Sequence, residues 1–173
     1  MTKKALVVLA SARKKGNTEL FVDRVFKQDE IDKLDLLDYH ISPFNYSGTY
    51  PEDDEFQRVA DHMLLHQIIV FATPVYWYAM SGQLKLLFDR FTDLVTVKKQ
   101  TGRQLAGKST FLMAVGADRE LPPGFEVPFF LTSAYLSLSY GGCIYWSAEE
   151  VPLQDFPEDE IELFTSTVHK YCW

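Results

Sequence analysis

The chain has 173 residues, 47% of them hydrophobic and 14% aromatic, with a formal net charge of −7. That length suits one domain able to bury a sizeable core, and the acidic balance argues against general electrostatic binding to nucleic acid or to an anionic membrane. No apolar run is long enough to span a bilayer, the N-terminus lacks a signal-peptide core, and two cysteines, Cys143 and Cys172, give neither a disulfide framework nor a spaced metal set. The expectation is a single cytoplasmic domain over residues 1–173.

Residues 4–10 are short, continuous and β-branched, the pattern of a buried strand. From Asn17 onward, Phe21, Val22, Val25 and Phe26 recur at helical spacing. Residues 31–37, with polar residues between Ile31, Leu34 and Leu36, read as a second strand nearer an edge, followed by a segment rich in Pro, Gly and Tyr over 38–51, long for a connection. A second helix carries Phe56, Val59, Ala60, Met63 and Leu64 on one face, with Glu52, Asp53, Asp54 and Glu55 expected in its first turn, where negative charge is favoured.

Residues 67–73 are apolar throughout, as in a central strand. Ser81 can cap a third helix whose stripe is Leu84, Leu87, Phe88, Phe91 and Leu94. A fourth strand is expected at 109–115, a fourth helix at 125–140, a fifth strand at 143–147, and a last helix after Pro157 with Ile161, Phe164, Val168 and Tyr171 inward. The fourth helix is apolar nearly all round. Either it is buried deeply or it offers Phe129, Phe130, Tyr135 and Leu138 to another copy, making a homodimer or higher homo-oligomer. Strand and helix alternate five times, and right-handed crossovers leave few topologies. The expected fold class is α/β, a three-layer sandwich around a five-stranded parallel sheet in the order 2-1-3-4-5.

In that order strands 1 and 3 are neighbours at the point where the winding reverses, and ligands sit beyond the carboxyl ends of strands there. The loop after strand 1 is Ala10-Ser11-Ala12-Arg13-Lys14-Lys15-Gly16-Asn17-Thr18. A helix start offers unpartnered N–H groups at its positive end. Ser11, Asn17 and Thr18 add side-chain donors, Arg13, Lys14 and Lys15 add charge, and Gly16 lets the backbone turn, so the loop reads as a phosphate cradle. An ordinary capped connection uses the same residue types. The loop after strand 3 holds Pro74-Val75-Tyr76-Trp77-Tyr78. These rings either cover the sheet end or hold a planar ligand whose polar edge meets backbone N–H groups. A phosphate loop beside a ring loop describes a mononucleotide, most naturally a flavin.

Here the chain resembles the group of NAD(P)H-dependent FMN reductases and multimeric flavodoxins, of flavodoxin-like fold. The likeness rests on residues 11–18, on Thr73-Pro74-Val75-Tyr76-Trp77, on Ser81-Gly82-Gln83-Leu84-Lys85 and on Phe88-Asp89-Arg90, and it spans residues 4 to about 146. It implies FMN, with Ser11, Arg13, Lys15, Gly16, Asn17 and Thr18 at the phosphate and Pro74, Val75, Tyr76, Trp77 and Gly116 around the rest of the cofactor. It implies NAD(P)H as co-substrate and a small electron acceptor such as a quinone or free flavin, with no protein acid–base residue needed for hydride transfer. Two departures stand out. Some relatives carry an iron–sulfur cysteine cluster after strand 2, and residues 38–51 contain no cysteine; the loop at 116–120 lacks a glycine-rich run. An electron carrier that binds FMN without a nicotinamide site is the alternative, and a flavin-free interaction domain is a third.

Two further patterns carry less. Residues 102–109 match G-x-x-x-x-G-K-[ST], but a strand follows the glycines where a phosphate loop requires a helix. His62 and His66 are four apart, a spacing that can share a metal, with no third ligand evident, and no metal site is expected.

Overall fold

A computed structural model describes residues 4–26 and 31–171. Strands β1 (Ala5–Leu9), β2 (Ile31–Asp35), β3 (Ile68–Pro74), β4 (Ser109–Gly116) and β5 (Ser139–Ser147) form one sheet in the order β2-β1-β3-β4-β5, every pair parallel. Helices α1 (Asn17–Val25), α2 (Phe56–Leu65), α3 (Gly82–Val95), α4 (Lys99–Leu105), α5 (Val127–Tyr135) and α6 (Glu158–Lys170) are the α-helices among the described residues. The fold class and the strand order are those expected.

Side chains alternate across each strand, so the sheet feeds two cores. Ala5, Val7, Leu9, Val70, Ala72 and Met113 meet Phe21, Val22, Ile161 and Phe164 of α1 and α6. Leu6, Val8, Ile69, Phe71 and Leu112 meet Phe56, Met63, Leu87, Phe91 and Phe129 from α2, α3 and α5. With helices on both faces, β3 is buried at every residue, as its unbroken apolar run predicts.

Several elements differ from expectation. Residues 52–55 lie ahead of α2, which begins at Phe56 with Glu55 as its N-cap, because Asp54 is drawn into an ion pair described below. Residues 99–105 form a separate short helix, α4. Gly102 lets it lie against α3, since a Cβ there would stand 2.1 Å from the Leu94 carbonyl oxygen. Helix α5 ends at Tyr135, and β5 begins earlier, at Ser139. The two glycines inside β5 explain why residues 139–142 do not announce a strand: Gly142 takes φ 124, and the β4–β5 register shifts between Thr110 and Leu112. Phe129 and Leu138 are core residues, so the apolar face left on α5 is Val127, Phe130, Leu131 and Tyr135.

The G-x-x-x-x-G-K-[ST] match is accounted for structurally. Its second glycine, Gly107, has φ 81 in the turn that enters β4, at the opposite end of the sheet from the loop after β1. Lys108 Nζ donates to the Leu64 and His66 carbonyls at 2.8 and 2.6 Å, where α2 ends and cationic groups are favoured.

Candidate functional site

Beyond β1, Ala10 N–H extends the ladder to the Ala72 carbonyl at 2.9 Å, and Ser11 begins the turn into α1. The left-handed residue of that turn is Lys15, with φ 54; Gly16, the N-cap, has φ −87, open to any residue. The conformational role expected of Gly16 therefore belongs to Lys15, which is held by its own N–H donating to Glu19 Oε2 at 2.5 Å. The first intrahelical bond of α1 runs from Leu20 N–H to the Gly16 carbonyl. Among the described residues the N–H groups of Asn17, Thr18 and Glu19 make no hydrogen bond, and neither do the side chains of Ser11, Arg13, Asn17 and Thr18. Thr18 is only 2% exposed and Ser11 is buried. Donors with no protein acceptor at the positive end of a helix are the groups that favour an anion.

The loop after β3 is built in two tiers. At its base Ser81 N–H donates to Thr73 Oγ1 at 3.0 Å, while the Ser81 hydroxyl caps α3 at Leu84 N–H. At its tip Tyr76 and Ala79 exchange backbone hydrogen bonds of 2.9 and 3.1 Å, closing a turn whose central residues, Trp77 and Tyr78, both have positive φ, 49 and 63. That backbone normally selects glycine or asparagine. Two aromatic residues hold it instead, and Trp77 stands 93% exposed.

The two loops meet. A cleft of about 290 Å³ is lined by Ser11, Arg13, Asn17 and Thr18, by Pro74, Val75 and Tyr76, by Val115, Gly116 and Ala117, and by Ala148 and Glu149. Eight of the residues singled out from sequence line it: Ser11, Arg13, Asn17, Thr18, Pro74, Val75, Tyr76 and Gly116. Lys15, Gly16 and Trp77 do not. Lys15 and Gly16 shape the turn, and Trp77 stands on the rim loop. Gly116 has an internal reason to be glycine as well: a Cβ would lie 2.5 Å from the Tyr145 hydroxyl, which donates to the Asp118 carbonyl at 2.6 Å. Ala148 and Glu149 were not foreseen. Their position straight after a parallel strand, at the same sheet end, was the available signal.

Apart from the cleft, Arg90 of α3 is 1% exposed. It donates to both carboxylate oxygens of Asp54 (2.7 and 3.1 Å), to Asp93 Oδ2 (2.8 Å) and to the Ser42 carbonyl (3.0 Å), with its guanidinium 3.5 Å from the Tyr50 ring centroid. Tyr50 donates its hydroxyl to Asp93, and Ser42 N–H donates to Asp54. Burial alone would raise the Asp54 pKa; the hydrogen bonds from Arg90 and Ser42 outweigh it and hold the carboxyl below the ordinary range. The long connection between β2 and α2 is thereby fastened to α3 at Ser42, Tyr50 and Asp54. His66, weighed above as half of a metal pair, has Nδ1 2.8 Å from the His62 carbonyl and Nε2 2.9 Å from Asp32. Cys143 lies largely within the fold, where burial first and Glu126 second push its thiol pKa up.

A doubly wound parallel sheet with a donor-lined cleft at its switch point defines the class: an α/β nucleotide-site protein of flavodoxin-like architecture. The chain belongs to the NADPH-dependent FMN reductase family, whose model matches residues 3–121. It is 29% identical over 122 residues to YwqN of Bacillus subtilis, whose name places it among NAD(P)H-dependent FMN-containing oxidoreductases, covering 66% of this chain and 67% of that one. It is also 29% identical over 127 residues to the iron–sulfur flavoprotein MJ1083 of Methanocaldococcus jannaschii, covering 67% of this chain and 63% of that one. The aligned part thus spans about two thirds of those relatives. General stress protein 14 of Treponema denticola, solved with FMN, superposes with a TM-score of 0.66 at 17% identity over 97% of this chain and 99% of that one. An oxidoreductase that uses FMN and NAD(P)H is what the family defines, and the side chain of Thr18 beside unpartnered helix amides fits the phosphate end of that cofactor. No helix among the described residues is long and apolar enough to cross a membrane.

Proposed function

We propose that this protein takes hydride from NAD(P)H onto FMN and passes the electrons to a small acceptor, a quinone or a free flavin. The observation that carries this is the cleft itself, in which the turn after β1 and the aromatic loop after β3 line one space whose polar side chains have no other partner among the described residues. Bound flavin supplies the redox chemistry, accepting hydride and releasing electrons, and the protein supplies grip, orientation and electrostatics. Ser11, Arg13, Asn17 and Thr18 would hold the phosphate with the first-turn amides of α1, and Lys15 and Gly16 would set that turn. Pro74, Val75, Tyr76 and Gly116 would border the rest, with Trp77 at the rim.

The N–H groups of Val75 and Tyr76 already serve the Val115 and Ala79 carbonyls. Support for the polar edge of the ring from this loop therefore falls to the amides of Trp77 and Tyr78, which make no hydrogen bond among the described residues. The exposed α5 residues Val127, Phe130, Leu131 and Tyr135 suit a homodimer or higher homo-oligomer. A sedimentation mass of one chain at micromolar concentration would refute that. The working environment of such a reductase is the cytoplasm, where nicotinamide cofactors are at hand.

The test is anaerobic: FMN-loaded protein is mixed with NADPH or NADH and the flavin absorbance followed. Rapid bleaching, then reoxidation by added quinone, is expected. Bleaching only through a separate reductase would turn the assignment to an electron carrier, and a chain that takes up no FMN would end it.

A further inference from the structure

We infer that Glu149, in the loop after β5, accepts hydrogen bonds from the hydroxyl-bearing chain between the phosphate and the ring of the bound flavin, and so sets the preference for that polyol. The inference rests on the FMN reading above and extends it to a strand end that neither the sequence pattern nor the family match, which stops at residue 121, assigns.

The loop is held unusually firmly for an exposed connection. Ala148 N–H donates to the Gly116 carbonyl at 2.8 Å, Ser147 Oγ to the Ala117 carbonyl at 3.1 Å, Val151 N–H to the Ser147 carbonyl at 3.0 Å, and the Trp146 indole N–H to the Val151 carbonyl at 2.7 Å. Two of these bonds tie it to the end of β4, which lines the same cleft. Glu149 is thus presented from a fixed backbone at the lining of the cleft, and its side chain makes no hydrogen bond or ion pair among the described residues.

The chemistry of the cleft is two-sided. The residues from the β1 turn offer hydrogen-bond donors and positive charge, which suit phosphate. An ionised carboxylate only accepts, and it repels a phosphate oxygen. What it can bind in such a cleft is a hydroxyl or an N–H. Strands are spaced about 4.8 Å apart, so β5 lies roughly 14 Å across the sheet from β1, and residues that follow both strands line the one cleft. In FMN the chain that links the phosphate to the ring carries the ribityl hydroxyls, and these supply the donors that Glu149 lacks.

The experiment compares FMN with an N10-phosphoalkyl isoalloxazine that keeps ring and phosphate but has no chain hydroxyls. Dissociation constants are read from flavin fluorescence for the unaltered protein, Glu149→Ala and Glu149→Gln, each checked for an unchanged melting temperature. A hydrogen bond to a charged group corresponds to a preference for FMN of about ten- to a hundredfold in the unaltered protein. Glu149→Ala should abolish that preference by weakening FMN alone, and Glu149→Gln, which keeps an acceptor oxygen, should retain part of it. Equal preference in all three proteins would overturn the inference. So would a parallel tightening of both ligands in the two variants, which would reduce Glu149 to a source of repulsion. Absence of FMN binding by the unaltered protein would instead refute the FMN reading itself.

Discussion

The guanidinium of Arg90 in α3 is bidentate to the carboxylate of Asp54, with Nη1 and Nη2 at 2.7 and 3.1 Å, and both side chains are shut away from solvent. This pair fixes the route of the chain from β2 to α2, the stretch that in sequence read as a long connection. A buried ion pair costs desolvation on both sides, and removing one member strands the other. Arg90→Met should therefore destabilise the protein by about 3–5 kcal/mol, the more so because Asp93 loses a donor too. Urea unfolding followed by far-UV circular dichroism measures this; a loss below about 1 kcal/mol would show that the clamp contributes little.

The same pair fixes a pH dependence. Because the folded pKa of Asp54 lies below its ordinary 3.8, the carboxylate adds stability that is fully present above that value and is lost as pH falls through the lower, folded value. The stability gap between the unaltered protein and Asp54→Asn should be widest near neutrality and narrow as the medium is acidified below about pH 4. Unfolding free energies across pH 7 to 3 provide the check. A gap that does not change with pH would mean that Asn disrupts packing rather than charge.

Strand order and the core were legible because β1 and β3 are continuous apolar runs and because helical spacing at Phe21, Phe56 and Leu84 is unambiguous. The Arg90 clamp was not. Arg90 and Asp54 are 36 residues apart, and nothing local marks an arginine in a helix as buried. Pairing overrode the local preference that places acidic residues in a helix's first turn. The glycines of β5 misled for a related reason: Gly141 leaves room for Phe111, whose ring would stand 2.3 Å from a Cβ there, a tertiary demand invisible in a window of sequence. At the site, residue type foretold which side chains line the cleft, since Ser11, Asn17 and Thr18 follow a strand. It did not foretell that Lys15 rather than Gly16 takes the left-handed turn, or that the loop after β5 reaches the same cleft.

Arg13 and Thr18 line the cleft with no protein partner among the described residues, so removing them costs the fold little and a bound phosphate much. Arg13→Ala combined with Thr18→Ala should leave the far-UV spectrum and the cooperativity of unfolding intact. FMN affinity should fall by about a hundredfold or more, taking roughly 1.5–3 kcal/mol for each charge-assisted contact. Equilibrium titration of flavin fluorescence reads this directly. Retention of the original affinity would remove the phosphate assignment from the turn after β1.

Trp77 makes the complementary case, where stability and ligand binding should move in opposite directions. Its φ of 49 places a bulky side chain in the left-handed region, and at 93% exposure the indole returns almost no buried area for it. For an L-residue that conformation costs about 1–2 kcal/mol, whereas glycine adopts it freely at an entropic cost of about 0.5–1 kcal/mol. Trp77→Gly should therefore leave the protein as stable or up to about 1 kcal/mol more stable, seen as a rise of a few degrees in melting temperature without ligand. If the strained aromatic turn exists to meet a flavin ring, the same substitution should weaken FMN binding and so reduce the stabilisation that added FMN confers. A variant that gains stability and still binds FMN as before would show that the turn, though strained, is not there for the ring.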